Sequence, residues 1–493
     1  MARPEVRRSS AHIAAADALL VVGVFVLAFA VRLVPVLAGG GLLGAPNYDP
    51  SVYYAAAVGF FEGRLPYRDF LLLHPPGIVL LLQPFAALGA WLGDPVALAS
   101  TRVAFMALGA LSAALICLLL LPGGRVAALA GGGLYAVYPA AAHVERAPWL
   151  EAPASFMLVL ALVALRPADE TVRPWRTATA GALLSLAMLT KLWGVALLVI
   201  ILCWVLVARR IRAALSYLLG AIVAGVAVLL PFWAGWTQLW ADAVTAQVAR
   251  PSVRASPLLR IGTLLGLDQA DSARLPAALT VVLAGGVLAL ALVAVRSGVG
   301  RLYLLLLATT LAALLLVSAW YPNYPAFAAA PLALTVGSSV SVICSQQRLV
   351  ARVGAALVAV LIALGAIRQI VTPTGYSFPR EELTAALSTR DGCVTTDHPI
   401  ALVLTDRLRP DLRSGCRLVV DLSGYIHVVS GSDRRSENPE FQTVMMDYLG
   451  SGHTTVVMSG IWPGDFSRAS RKLVESWRIV GTVGDIKVRE PGG

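Results

Sequence analysis

Long apolar runs set the rhythm of this chain. Ala16 to Ala38 is almost continuously apolar, and similar runs recur near 101–121, 125–142, 150–166, 177–190, 193–208, 213–233, 276–296, 301–320, 325–344 and 350–371. A helix crosses about 30 Å of hydrocarbon with roughly 20 apolar residues, so each run predicts a membrane-spanning helix, eleven with the first. The run 77–93 is shorter, contains Gln83 and Pro84, and ends at Gly93-Asp94 without a positive charge. Counted as a span, it would turn every later arginine-rich loop to the opposite side. It is therefore predicted to be an interfacial or re-entrant helix.

Polar positions concentrate in three places. The first is the loop 39–100, which carries Asp49, Tyr53, Tyr54, Glu62, Arg64, Tyr67, Arg68, Asp69 and His74 before Pro75-Pro76. Ionisable groups gathered between membrane segments point to function. The second is the external loop 234–275, where Trp240, Asp242, Gln247, Arg250 and Arg254 mix with apolar residues. It suits an amphipathic segment over a site, or an inert interfacial helix equally well. The third begins near Thr372. There the apolar clusters CVTTD, CRLVVDLSG, TTVVMSG and WRIVGTV alternate with the helix-like stretches PREELTAALSTR and FSRASRKLVESW. That alternation predicts a small α/β domain with a parallel sheet over 372–493.

Composition agrees with a polytopic helical membrane protein. The chain has 493 residues, 58% hydrophobic and 14% charged, with a mean hydropathy of +0.76; soluble domains carry about 25% charged residues. The net charge of +11 is no nucleic-acid signal, because its arginines sit in short loops. Arg3, Arg7 and Arg8, Arg125, Arg166, Arg173 and Arg176, Arg209, Arg210 and Arg212, Arg296 and Arg301, and Arg348 and Arg352 recur at every second loop. The positive-inside rule then puts the N-terminus in the cytoplasm and the C-terminal domain outside. The first run is long and lacks an A-x-A-like cleavage site, so it reads as the first span. Arg32, in its last third, either snorkels to the outer interface or faces an interior site.

Cys117, Cys203 and Cys344 lie in apolar runs as small buried residues. Cys393 and Cys416 are either two buried thiols or a disulfide, and an external domain favours the bridge. Closing that loop is worth roughly 3 kcal/mol in the chain-entropy picture.

The predicted topology brings four groups to the outer face: Asp49, Glu151, Lys191, and Tyr321, Asn323 and Tyr324 of WYPNYPAF. Each has a plain alternative, since an outer lysine anchors headgroups and a glutamate favours a helix N-terminus. Together, a carboxylate that takes a proton from a hydroxyl and a cation that holds a phosphate suit group transfer from a lipid phosphate.

Several blocks carry a resemblance. They are Asp49-Pro50-Ser51-Val52-Tyr53-Tyr54-Ala55, Gly63-Arg64-Leu65-Pro66-Tyr67-Arg68-Asp69-Phe70, His74-Pro75-Pro76-Gly77, the run before Arg102, ERAPWLEAPASF with Glu151, LSLAMLTKLWGVALL with Lys191, and WYPNYPAFAAAPLAL. In order and spacing they resemble the GT-C glycosyltransferases over residues 10–370, notably the protein O-mannosyltransferases and the lipid A aminoarabinose transferases. The resemblance implies a transmembrane catalytic domain over 1–371. It implies an inverting transfer of a sugar from a polyprenyl-phosphate donor to an acceptor hydroxyl of a glycan, lipid or protein. This would occur at the outer face of the cytoplasmic membrane.

Asp49 would be the general base. Glu151, Lys191, Arg64, Arg68, Tyr53, His74, Arg102 and Tyr324 would bind substrate. Pro50 stands where many relatives have a second acidic residue, which puts in doubt any role needing adjacent carboxylates, such as metal binding. No histidine pair at i, i+4 marks a metal site, and no cofactor is implied beyond the lipid-linked donor. The competing readings are a transporter or flippase of a lipid-linked sugar and a non-enzymatic envelope-assembly protein. Transporters place ionisable residues at the midplane of broken helices, often in internal repeats. These runs are nearly free of carboxylates and show no repeat.

Overall fold

The computed structural model describes residues 4–166, 173–250, 255–267, 277–317, 319–345, 348–458 and 464–492. Arg254 therefore lies outside the described residues, as do 268–275 at the end of the predicted external loop. The chain divides into two compact units. The first comprises Met1–Ala38, Val103–Ala227 and Ser252–Pro373; the second comprises Gly39–Arg102, Val228–Pro251 and Thr374–Gly493.

The first unit is helical. Its helices include α1 (Pro4–Ala38), most of α5 (Asp94–Leu120), α6 (Arg125–Val137), α7 (Pro139–Val144), α8 (Glu151–Leu165), α9 (Pro174–Thr190) and most of α10 (Gly194–Leu229). Later helices cover Ala277–Ala294, Gly298–Leu316, Ala326–Cys344 and Arg348–Val371. Each apolar run of the sequence thus forms helix. Seven helical runs among the described residues are long and apolar enough to cross a bilayer, and the protein is a multi-pass membrane protein. The runs near 193–208 and 213–233 are joined in α10, but Arg210 interrupts it at φ 71° and ψ 170°. That residue marks the arginine-rich turn the sequence places there.

Small side chains and leucines fill the core, including Ala113, Ala128, Ala154, Ala161, Leu162, Ala180, Leu184, Ala330 and Ala333. Without a water-driven hydrophobic effect between helices in lipid, close backbone approach supplies the packing. Gly181 and Gly220 show this. A Cβ at Gly181 would lie 1.9 Å from the Tyr217 carbonyl oxygen, and one at Gly220 would lie 1.9 Å from that of Ala178.

The second unit joins the first loop, the 228–251 segment and the C-terminal domain. The first loop holds α2 (Tyr48–Phe61), α3 (Gly77–Leu81) and α4 (Gln83–Leu92). The run 77–93 is thus two short helices meeting at Leu82, of five and ten residues. The C-terminal sheet has the order β1 (Val394–Thr396), β2 (Thr454–Val457), β4 (Ile486–Glu490), β3 (Arg478–Val483). Only β1 and β2 pair in parallel; β4 runs antiparallel to both its neighbours. The predicted all-parallel sheet is therefore corrected to a mixed one, because β3 and β4 form a hairpin through Gly484 at φ 56°. CRLVVDLSG forms no strand and leads into a 3-10 turn over Ser423–His427. Cys393 and Cys416 are disulfide-bonded, with their Cα atoms 5.6 Å apart.

A charged network knits this unit together. Arg409 donates from Nε to Asp94 Oδ1 at 2.9 Å and from Nη1 to Glu62 Oε1 at 2.7 Å. Tyr54 donates to Asp94 Oδ1 at 3.0 Å. Arg413 adds two bonds to Glu62. Gly89 leaves the room for this, since a Cβ there would meet Asp94 Oδ1 at 2.5 Å.

Candidate active site

In the second unit, Asp49 sits in the first turn of α2, half-buried beside the fully buried Tyr54 and nearly buried Tyr53. A carboxylate there is favoured by the helix dipole. Tyr53 meets the ring of His74 edge-on at 5.6 Å. Gln247, from the 228–251 segment, donates to the Leu73 carbonyl and comes within 3.4 Å of His74 Nδ1. Tyr67 is held at φ 69° and donates its hydroxyl to the His74 carbonyl at 2.6 Å. Such backbone strain in a bulky residue is tolerated where surrounding contacts fix it, commonly at functional sites.

The arginines of this loop divide by role. Arg68 forms two 2.8 Å bonds to the neighbouring Asp69, whose other task is to accept the Leu65 N–H at 2.7 Å. The Arg68 bond, ahead of the counteracting burial, holds the Asp69 carboxyl below its usual range. Arg64 is half-buried and adds a weaker pull on the same carboxyl. Arg102 is buried, and its Nη1 donates to the carbonyls of Gly41, Leu42 and Gly44 at 2.9, 2.8 and 3.1 Å. It fastens the chain ahead of Asp49.

The first unit gathers Glu151, Lys191 and Tyr324. Glu151 opens α8 and is fully buried. Its Oε1 accepts from Lys191 Nζ at 3.0 Å and from Asn323 Nδ2 at 2.7 Å, while Oε2 is buried without a hydrogen-bond partner. Lys191 caps the C-terminus of α9, where the dipole favours a cation. Its Nζ lies 5.0 Å from the Trp193 ring centre and 5.4 Å from that of Tyr324. The cage is a buried ion pair walled by aromatic rings, so its charges interact strongly and leave little room for water.

Arg32 faces the interior. It forms an ion pair with Glu145, donating from Nε at 2.5 Å, and its Nη1 donates to the Ala28 and Ala136 carbonyls. Tyr135 completes the set with a 2.6 Å bond to Glu145 Oε1. The pairing joins residues 113 positions apart, so the sequence left both readings of Arg32 open.

Residues that sequence reasoning did not single out also surround Asp49. Tyr48 accepts the Ser423 N–H at 3.1 Å and meets the His398 ring edge-on at 4.9 Å. No single-sequence signal ties positions so far apart. Among the described residues, no three His, Cys, Asp or Glu side chains gather as metal ligands do, and no step below is routed through a metal.

No family model matches the chain, and no curated protein sequence matches it either. Solved structures do resemble it. ArnT from Cupriavidus metallidurans in the apo state aligns with a TM-score of 0.61 at 13% identity, over 97% of this chain and 98% of that one. The same protein bound to undecaprenyl phosphate gives 0.57 at 13% identity, over 96% and 98%. The apo oligosaccharyltransferase of Archaeoglobus fulgidus gives 0.59 at 13% identity, over 89% of this chain and 69% of that one. The fold of these two proteins is the fold of this chain, as the resemblance carried by the ordered blocks of its sequence implied.

Proposed function

We propose that this protein is an inverting glycosyltransferase of the cytoplasmic membrane, using a polyprenyl-phosphate-linked sugar as donor and an acceptor hydroxyl at the outer face. The observation that carries the reading is Asp49. It is a half-exposed carboxylate on the first turn of α2, in the GT-C fold that the chain shares with its structural neighbours. The N-terminus is inside and the C-terminal domain outside.

Asp49 takes the acceptor's hydroxyl proton as the oxygen bonds to the anomeric carbon. The bond from that carbon to the phosphate oxygen breaks on the opposite side, and polyprenyl phosphate leaves with the electron pair. The product therefore carries the opposite anomeric configuration. Lys191 and Glu151 are proposed as substrate-binding residues of the first unit. Arg64 supports the phosphate better than Arg68, which Asp69 already engages. His74 and Tyr53 shape the wall beside α2.

The test uses purified protein in lipid nanodiscs, a panel of radiolabelled polyprenyl-phosphate sugars, and membrane extract as acceptor. Transfer from one donor, with an inverted anomer in the product, is expected. Retention of configuration, or movement of donor across the bilayer without transfer, would contradict the proposal.

A further inference from the structure

A cavity of about 480 Å³ lies in the second unit, where the first loop meets the C-terminal domain, and falls within the roughly 300–1,000 Å³ of small-molecule sites. The end of α4 and the first turn of α5 line part of it with Leu92, Gly93 and Val96. The helix Arg380–Ser388 lines another part. It buries Leu383 and Leu387 and gives Arg380, Glu381 and Thr384 to the cavity. Asp406 joins them, with its Oδ1 accepting the Asp94 N–H at 2.8 Å.

The charged side chains that line the cavity are one guanidinium, Arg380, and two carboxylates, Glu381 and Asp406. Among the described residues, Arg380 and Glu381 form no side-chain hydrogen bond or ion pair, and Asp406 Oδ2 accepts no bond. The neighbouring Asp94 is buried and already engaged by Arg409 and Tyr54. Beside the cavity, Trp91, Leu92 and Val96 are 87%, 58% and 41% exposed. Asp94 opens the run Asp94–Gly123, which is long and apolar enough to cross a bilayer. Large apolar side chains left bare at the end of a span meet lipid, and tryptophan is favoured at the level of the headgroups.

The charges select among lipids. An anionic headgroup would add negative charge to a site whose own balance is one guanidinium against two carboxylates. A zwitterion satisfies both signs: its phosphate accepts from the Arg380 fork, and a primary ammonium donates to Asp406 Oδ2 and to the Glu381 carboxylate. A choline headgroup has methyls in place of N–H donors and is held by aromatic cages. Among the described residues, no aromatic side chain lines this cavity.

We infer that this cavity binds the headgroup of an ethanolamine phospholipid, whose chains run along Leu92 and Val96 into the bilayer. The bound lipid ties the C-terminal domain to the membrane through Arg380, Glu381 and Asp406, none of which belongs to the proposed catalytic machinery. The inference stands on the membrane setting and not on the transferase reading.

Binding is read by native mass spectrometry on full-length protein, delipidated in detergent and titrated with dioleoyl phosphatidylethanolamine, phosphatidylcholine or phosphatidylglycerol. One ethanolamine lipid is expected to bind at least about fivefold more tightly than either of the others. Soluble glycerophosphoethanolamine, the headgroup without chains, is expected not to displace it. Arg380→Gln and Asp406→Asn should each reduce the preference to less than about twofold. Asp406→Asn keeps an acceptor for the Asp94 N–H. Arg380→Gln breaks no side-chain bond among the described residues, and it decides the matter if Asp406→Asn does not fold. Equal binding of the three lipids, a preference for the glycerol or choline lipid, displacement by the soluble headgroup, or a wild-type preference in the folded variants would overturn the inference.

Discussion

Lys191 and Glu151, proposed above as substrate-binding residues, form a buried ion pair with a structural consequence of its own. Both are buried, and removing one partner leaves an uncompensated charge in a low-dielectric site. Lys191→Met is expected to cost roughly 3–5 kcal/mol, seen as a clear drop in unfolding temperature, whereas Glu151→Gln, which keeps an acceptor for Asn323, costs less. Equal, small shifts for both would show that the pair carries little energy.

Asp397 makes a different prediction in the C-terminal domain. Burial, opposed by the Met458 N–H bond and helped by Asp465, raises its carboxyl to about 7. The folded state then holds a proton that the unfolded chain releases above about pH 4. Stability therefore falls as pH rises from about 4 to 7, by up to about 4 kcal/mol. Asp397→Asn should flatten that part of the profile in thermal melts at several pH values; an unchanged slope would refute the assignment.

At the scale of elements, what the sequence made legible was set by local pattern. Continuous apolar runs became helices, and the arginine cluster 209–212 contains the break at Arg210. RIVGTV became β3, whereas its hairpin partner IKVRE, which forms β4, was not among the strand-like clusters of the sequence. CRLVVDLSG misled because local side-chain chemistry prevailed over β-propensity: Asp421 Oδ1 accepts the Gly424 N–H at 2.8 Å and turns the chain. Long-range pairings were beyond reach. The Asp94–Arg409 bond spans 315 positions, and the bonds from Arg102 to the Gly41, Leu42 and Gly44 carbonyls had no sequence signal. The disulfide was legible through the external setting that the charge pattern predicts for the domain. Cys393→Ser with Cys416→Ser is expected to lower the stability of the domain by about 3 kcal/mol, measured by protease resistance under mild denaturant. Protection equal to the wild type would show that the charged network suffices alone.

The whole molecule combines a multi-pass helical fold like that of ArnT and the archaeal oligosaccharyltransferase with a C-terminal domain fastened by Arg409 and Arg413 to the first loop. The proposed orientation is checked by membrane-impermeant maleimide on intact cells. Lys472→Cys, exposed in the C-terminal domain, should label, and Arg212→Cys, in the arginine-rich turn, should label only after lysis. The reverse pattern would invert the topology and place Asp49 on the cytoplasmic side.

The central claim is that Asp49 performs the chemistry. Its most direct test compares wild type with Asp49→Asn for transfer of labelled sugar from the active polyprenyl-phosphate donor, with donor binding measured on the same samples. The account predicts donor binding within about twofold of wild type and a fall in transfer of at least roughly 100-fold, the contribution expected of a general base. Equal transfer by both proteins would remove Asp49 from the mechanism.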